Sequence, residues 1–171
     1  MKHLGTQPLQ TERLLLRPFT PADAPAMYAN WANDPEVTKY LTWPTHTSAD
    51  VSRMVLADWV PRYAQPDWYQ WAIVPMDLGE PIGSISVVKW NPDVESAHIG
   101  YCIGQRWWRQ GYTSEALAAV IRFLFEGVGV NRVDSRHDPR NPNSGRVMAH
   151  CGMQREGTVR QGDRNNQGIC D

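Results

Sequence analysis

The 171-residue chain predicts a mixed α+β domain in which strands and helices are interleaved. Three observations carry this. Short β-forming runs alternate with stretches whose apolar residues recur at i, i+3, i+4 and i+7. Turn signals such as Asn33-Asp34-Pro35, Asp77-Leu78-Gly79-Glu80 and Asn91-Pro92-Asp93 separate them. Length and composition (42% hydrophobic, 20% charged) suit one domain over residues 1–171 with its own core.

Arg13-Leu14-Leu15-Leu16-Arg17-Pro18-Phe19 reads as the first strand. Thr20 and Pro21 then start a helix that runs to about Trp31, with Pro21 at the favoured first position. A second helix fits Ser48 to Arg62, where Val51, Val55 and Trp59 share a face. Trp68–Val74 and Pro81–Val88 form a hairpin, limited by Pro75. Ala97 to Gly104 is the next strand. A helix from about Thr113 follows, with Leu117, Val120, Ile121 and Leu124 on one face, and it ends near Gly127. Arg132–Arg136 reads as a strand, Asn143–His150 as a helix and Gln154–Arg160 as a last strand. The order is β-α-α-β-β-β-α-β-α-β.

A net charge of −1 argues against a nucleic-acid binder that works by neutralising phosphates. Residues 1–105 are acidic in balance and 106–171 basic, so one half favours a cationic partner and the other an anionic one, unless the halves share faces. No apolar run approaches the ~20 residues that span a bilayer, and the first residues lack an apolar signal core. Cys102, Cys151 and Cys170 are spaced for neither a disulfide framework nor zinc. The expectation is a cytoplasmic protein without metal, nucleic acid or membrane, either monomer or homodimer.

The functional signal is concentrated in Gln105-Arg106-Trp107-Trp108-Arg109-Gln110-Gly111-Tyr112-Thr113-Ser114-Glu115-Ala116. A basic, glycine-containing turn feeding a helix N-terminus offers unpaired backbone N–H groups, partial positive charge and two arginines to an anion. The strand before it has two unlike faces. Ala97, Ile99, Tyr101 and Ile103 are apolar, whereas His98, Gly100, Cys102 and Gly104 carry little bulk. Glycines inside a strand mark close approach of a ligand or of another backbone. A phosphate at the helix and a thin arm along the strand together describe a pantetheine–pyrophosphate ligand.

These residues resemble the GNAT superfamily of acyl-CoA-dependent N-acetyltransferases, and within it the ribosomal-protein N-terminal acetyltransferases of the RimJ/RimL type. The resemblance covers almost the whole chain. It runs through Thr11-Glu12-Arg13-Leu14-Leu15-Leu16-Arg17, Asn33-Asp34-Pro35-Glu36-Val37 and Ile99-Gly100-Tyr101. It continues in Trp108 to Ala116, in Asn141-Pro142-Asn143-Ser144 and in Val147 to Met153.

The resemblance implies a single GNAT-like domain with a twisted, mostly antiparallel central sheet flanked by helices. It implies acetyl-CoA as donor and a primary amine as acceptor. The N-terminal amine of a peptide or protein is the first candidate. A small amine (polyamine, amino acid, aminoglycoside) or a non-catalytic acyl-CoA-binding module are the alternatives. It places the pyrophosphate on Arg106, Arg109, Gln110, Gly111, Tyr112, Thr113 and Ser114, the acetyl-pantetheine arm on backbone around Cys102 and Ile103, and Asn141 beside the arm. Ser144 matches a general acid for the departing thiolate. Two departures stand out. Arg109 replaces the middle glycine of the family turn, which asks for ordinary backbone angles there. The chain also stops at Asp171, where the family's last strand is expected.

Direct attack needs a neutral amine, and a free amine has a pKa near ~10, so a base must take a proton. Relatives often carry a carboxylate at the position of His98; histidine, with an unperturbed pKa near ~6.5, is a sensible substitute. Glu95 and a water chain are the rivals. His98 and Cys102 share a face but lie roughly 13 Å apart at ~3.3 Å per residue, too far for a nucleophile–base pair. Ser144 also suits a helix cap. Among eight tryptophans, Trp31 and Trp43 fall where the family builds its acceptor groove, with core packing as the plainer reading.

Overall fold

A computed structural model describes residues 1–171. Its centre is a six-stranded sheet in the order β1 (Leu9–Gln10), β2 (Leu14–Arg17), β3 (Gln70–Pro75), β4 (Gly83–Asn91), β5 (Ser96–Ile103), β6 (Arg132–Ser135). Every neighbouring pair is antiparallel except β5 and β6. The parallel pair needs a crossover, and α4 (Tyr112–Arg122) with its continuation Phe123–Val128 supplies it.

Each face of the sheet has its own helices. Ala97, Ile99 and Ile103 of β5 pack with Ala116, Leu117, Val120 and Leu124, so α4 covers one face. On the other, α1 (Ala24–Met27), the wider turn Tyr28–Ala32 and α3 (Ala49–Arg62) bring Met27, Trp31 and Leu56 onto Ala72, Val74 and Cys102. β3 is buried at every position, which is why it reads as a continuous apolar run. The short α2 (Pro35–Thr38) follows the expected Asn33-Asp34-Pro35 signal, with the Asp34 side chain accepting from the Glu36 N–H.

The ends of the chain differ from the expected elements. Leu9–Gln10 adds a strand too short to show a pattern. Gln154–Arg160 is not a strand; all seven residues are exposed, so no alternating face can be buried. After α5 (Pro142–His150) the chain forms a hairpin of β7 (Asp163–Asn165) and β8 (Gly168–Cys170), separate from the main sheet.

Candidate active site

The parallel ladder joins Ser96–Ile99 only to Arg132–Ser135, while β5 continues to Ile103 with no neighbour on that side. A wedge-shaped opening results. The Ser135 hydroxyl closes its apex by donating to the Ile99 carbonyl (2.7 Å). At the far end the Gly104 N–H donates to Ile82 in the connection before β4 (2.9 Å). By the alternation of a strand, Gly100 and Cys102 therefore turn their backbone groups to β4, and Tyr101 and Ile103 turn theirs to the opening.

Cys102 departs from expectation in consequence. Its backbone faces β4, its side chain lies buried against Ser84 (Oγ to Sγ 3.5 Å), and burial pushes its thiol pKa up. Ile103 turns its backbone to the opening, where its carbonyl accepts from the Trp108 indole (2.9 Å).

The two glycines of β5's narrow face serve different ends. A Cβ on Gly104 would lie 2.1 Å from the Asn30 carbonyl, so the protein's own backbone uses that space. A Cβ on Gly100 would meet only Val88, at 3.1 Å, so that part of the face is more open.

Beyond Gly104 the chain makes a tight turn, Gln105–Trp107, on whose Arg106 carbonyl the Gln110 amide donates (2.9 Å). Arg109 and Gly111 both adopt left-handed angles, φ 61° and 81°. Arg109 was expected to keep ordinary angles. The turn instead retains the geometry of a glycine and imposes it on arginine, a strain of about 1–2 kcal/mol. The first intrahelical bond of α4 runs from the Glu115 N–H to the Gly111 carbonyl. The amides of Tyr112, Thr113 and Ser114 thus precede any intrahelical bond, and Arg106 and Arg109 stand exposed nearby.

The turn is held from outside. Arg13 donates to Glu115 (2.7 Å) and to the Gln110 carbonyl (2.9 Å), and stacks 4.3 Å from the Tyr112 ring centre. Thr11 and the Arg13 N–H also donate to Glu115. Burial works against the Glu115 charge, but these donors outweigh it and hold the carboxyl below its ordinary pKa. Thr11 and Arg13 were read only as part of a strand motif; contacts about a hundred residues away leave no local signal.

His98 lies one residue inside the apex of the opening. Its Nδ1 is 2.5 Å from the Asp134 carboxylate, its direct cross-strand partner on β6. Ser144, in the first turn of α5, donates its hydroxyl to the Tyr101 phenol (3.2 Å), which donates to the Ser144 carbonyl (3.0 Å). Burial, above all, raises the Tyr101 pKa to about 12. Asn141 caps α5 through its backbone alone, its carbonyl accepting from the Ser144 N–H (3.2 Å).

The model for the acetyltransferase (GNAT) domain matches residues 13–154, from the Arg13 anchor through α5. The chain belongs to the GNAT family. It is 32% identical over 153 residues to the uncharacterized N-acetyltransferase YoaA of Bacillus subtilis (strain 168), covering 90% of this chain and 86% of that one. It is 36% identical over 62 residues to the [Ribosomal protein uS5]-alanine N-acetyltransferase of Escherichia coli (strain K12), covering 36% of this chain and 32% of that one. The fold superposes with a TM-score of 0.82 on the Microcin C7 self immunity acetyltransferase MccE, solved in complex with acetyl-CoA and AMP. That match is 17% identical and covers 94% of this chain and 88% of that one. The protein is an acyl-CoA-dependent N-acetyltransferase.

Within this GNAT domain the remaining expected residues separate. Glu95 lies at the bend before β5, at φ 49°, and its carboxylate pairs with the Met1 amine (3.1 Å). Trp31 is corrected: it is fully buried in the core beside Phe19, not on a groove wall. Trp43 is half-buried on the His46 ring, and its carbonyl accepts from Asn166 of the terminal hairpin (2.7 Å). That hairpin is fastened a second time, by Asn165 to the buried Asp138 before α5 (2.9 Å). No helix is long and apolar enough to cross a membrane.

Proposed function

We propose that this GNAT domain transfers acetyl from acetyl-CoA to a primary amine, most specifically the N-terminal amine of a peptide or protein, by direct attack in a ternary complex. One observation carries the reading. The β5–β6 opening leads from the α4 amides along β5 to its apex at Ile99, and His98 stands one residue beyond that apex. The pyrophosphate sits on the Tyr112, Thr113 and Ser114 amides, with Gly111 allowing the approach and Arg106, Arg109 and Gln110 around it. The pantetheine arm pairs with Tyr101 and Ile103, and Asn141 flanks it.

His98 takes a proton as the amine nitrogen attacks the acetyl carbon. The carbon–sulfur bond then breaks, and the CoA thiolate receives a proton from the Ser144 hydroxyl, which regains one from water. The peptide acceptor is supported by the part-length relative that acts on ribosomal protein uS5. It is tested by following CoA thiol release with peptides bearing free or formylated N-termini and with polyamines, amino acids and aminoglycosides. Release that requires a free peptide N-terminus is expected. Release with small amines alone moves the acceptor to that class, and none above hydrolysis with any amine overturns the reading.

A further inference from the structure

We infer that Asp134 is a positioning residue. It holds His98 in the tautomer whose Nδ1 carries the hydrogen and whose Nε2 is free to act, and Ser96 fixes the carboxylate that does this. The inference rests on His98 as the base of the proposed reaction.

The chemistry of the pair fixes the hydrogen on Nδ1. An ionised carboxylate only accepts hydrogen bonds, so the contact between His98 Nδ1 and Asp134 Oδ1 requires a hydrogen on Nδ1. A neutral imidazole with its hydrogen on Nδ1 has its lone pair on Nε2. The other carboxylate oxygen is engaged as well. Ser96 Oγ donates to Asp134 Oδ2 (3.2 Å), and Arg132 Nε stands 3.9 Å from the same atom.

All of these groups sit in register on adjoining strands. Ser96 and His98 are two residues apart on β5, and Asp134 is paired directly with His98 on β6. On the opposite side Lys89 of β4 is the register partner of His98, beside the bulge between Val87 and Lys89. Arg132 divides its charge between Asp134 and Glu156, to which it donates at 2.8 Å. Lys89 and Arg132 are therefore the cations, and Asp134 the anion, at the strand positions beside His98. The His98 and Asp134 side chains are 25% and 28% exposed, so the pair is reachable but sheltered enough to be directional.

The variant Asp134→Asn gives a result that a merely structural role does not. Its amide has one acceptor and one donor end. Ser96 donates to the Oδ2 position and the Arg132 charge stands near it, so the amide oxygen settles there and the NH₂ faces Nδ1. The imidazole is driven to the opposite tautomer, and Nε2 carries the hydrogen and cannot take another. Asp134→Ala exerts no such force and leaves the tautomers mixed.

The test reads the histidine side-chain nitrogens by proton–nitrogen NMR in the full chain, together with kcat and acetyl-CoA affinity. The parent chain is expected in the Nδ1–H form, Asp134→Asn in the Nε2–H form and Asp134→Ala in a mixture. Turnover should fall most in Asp134→Asn, by about 10²–10⁴-fold, the range a general base contributes, and less in Asp134→Ala. Acetyl-CoA affinity should stay within a factor of two. Adding Ser96→Ala to Asp134→Asn should recover part of the loss, because the amide can then turn its oxygen to Nδ1.

An Nε2–H form in the parent chain overturns the inference, and the parent reading stands even where a variant fails to fold. Equal losses in the Asn and Ala variants, with no change of tautomer, overturn it too. His98→Ala with undiminished turnover removes the base assignment itself. A slow His98→Ala with the wrong parent tautomer removes only the role of Asp134.

Discussion

The two ends of the β5–β6 opening are built differently. At the α4 end the proposed working groups are backbone amides, shaped by two left-handed residues, and side chains such as Arg13 and Glu115 brace them. At the β6 end the proposed working groups are side chains, His98, Asp134 and Ser96, set by the register of three residues on paired strands. The first end tolerates changes of side chain as long as the backbone keeps its course, as Arg109 in a glycine's place illustrates. The second end tolerates a change of backbone poorly and a change of side chain hardly at all. Donor variants should therefore act on acetyl-CoA affinity or on folding, and β6-end variants on turnover.

The most disruptive change is Gly104→Ala, because its Cβ would meet the Asn30 carbonyl at 2.1 Å and the Trp107 ring at 2.8 Å. A loss of about 3 kcal/mol or more is expected in urea unfolding; a loss under 1 kcal/mol would show that the turn and the Asn30 segment part freely.

Gly111→Val places a β-branched residue at φ 81° on the amide cradle. Strain of about 1–3 kcal/mol there corresponds to acetyl-CoA affinity weakened by about 10- to 100-fold, read by calorimetry. An unchanged affinity would remove the pyrophosphate from this turn.

Arg13→Ala tests bracing alone. Losing one charge-assisted contact of about 1.5 kcal/mol should weaken acetyl-CoA binding roughly tenfold while kcat at saturation holds. A fall in kcat instead would break the division between the two ends.

Arg109→Gly has the opposite sign. Relief of left-handed strain, less the added freedom of the unfolded chain, should raise stability by about 0.5–1 kcal/mol, visible as a higher urea midpoint.

Tyr101 lies between the ends, and its effect is confined to alkaline pH. Its phenol titrates at about 12 in the fold against an ordinary 10. The folded state therefore keeps its proton where the unfolded chain has lost it. That stability is complete below pH 10 and disappears as pH rises toward 12. Tyr101→Phe should flatten this alkaline loss without abolishing it, since Tyr63, also raised to about 12 by burial, remains.

The same contrast decides what was legible in the sequence. The turn, the helix after it and the sparse face of β5 are local patterns, so the start of α4 just after Gly111 is legible in the sequence. Asp134 was not found, because nothing within β6 marks it; only the parallel register beside His98 gives it a role. Arg13 escaped for the same reason, as its partners Gln110 and Glu115 lie on another element. Trp31 was misplaced because a tryptophan in a core and one in a groove look alike in sequence, and burial decides between them. The Arg109 error came from reading residue type as a guide to backbone angle, when the turn overrules the residue. Gln154–Arg160 failed as a strand for want of an apolar face.

The most direct test of the account is the turnover of His98→Ala beside its affinity for acetyl-CoA. The account predicts kcat down by about 10²–10⁴-fold, loss of the limb that rises with pH, and affinity for acetyl-CoA unchanged. Turnover and pH profile equal to those of the parent chain would contradict it, and would move the proton to Glu95 or to water.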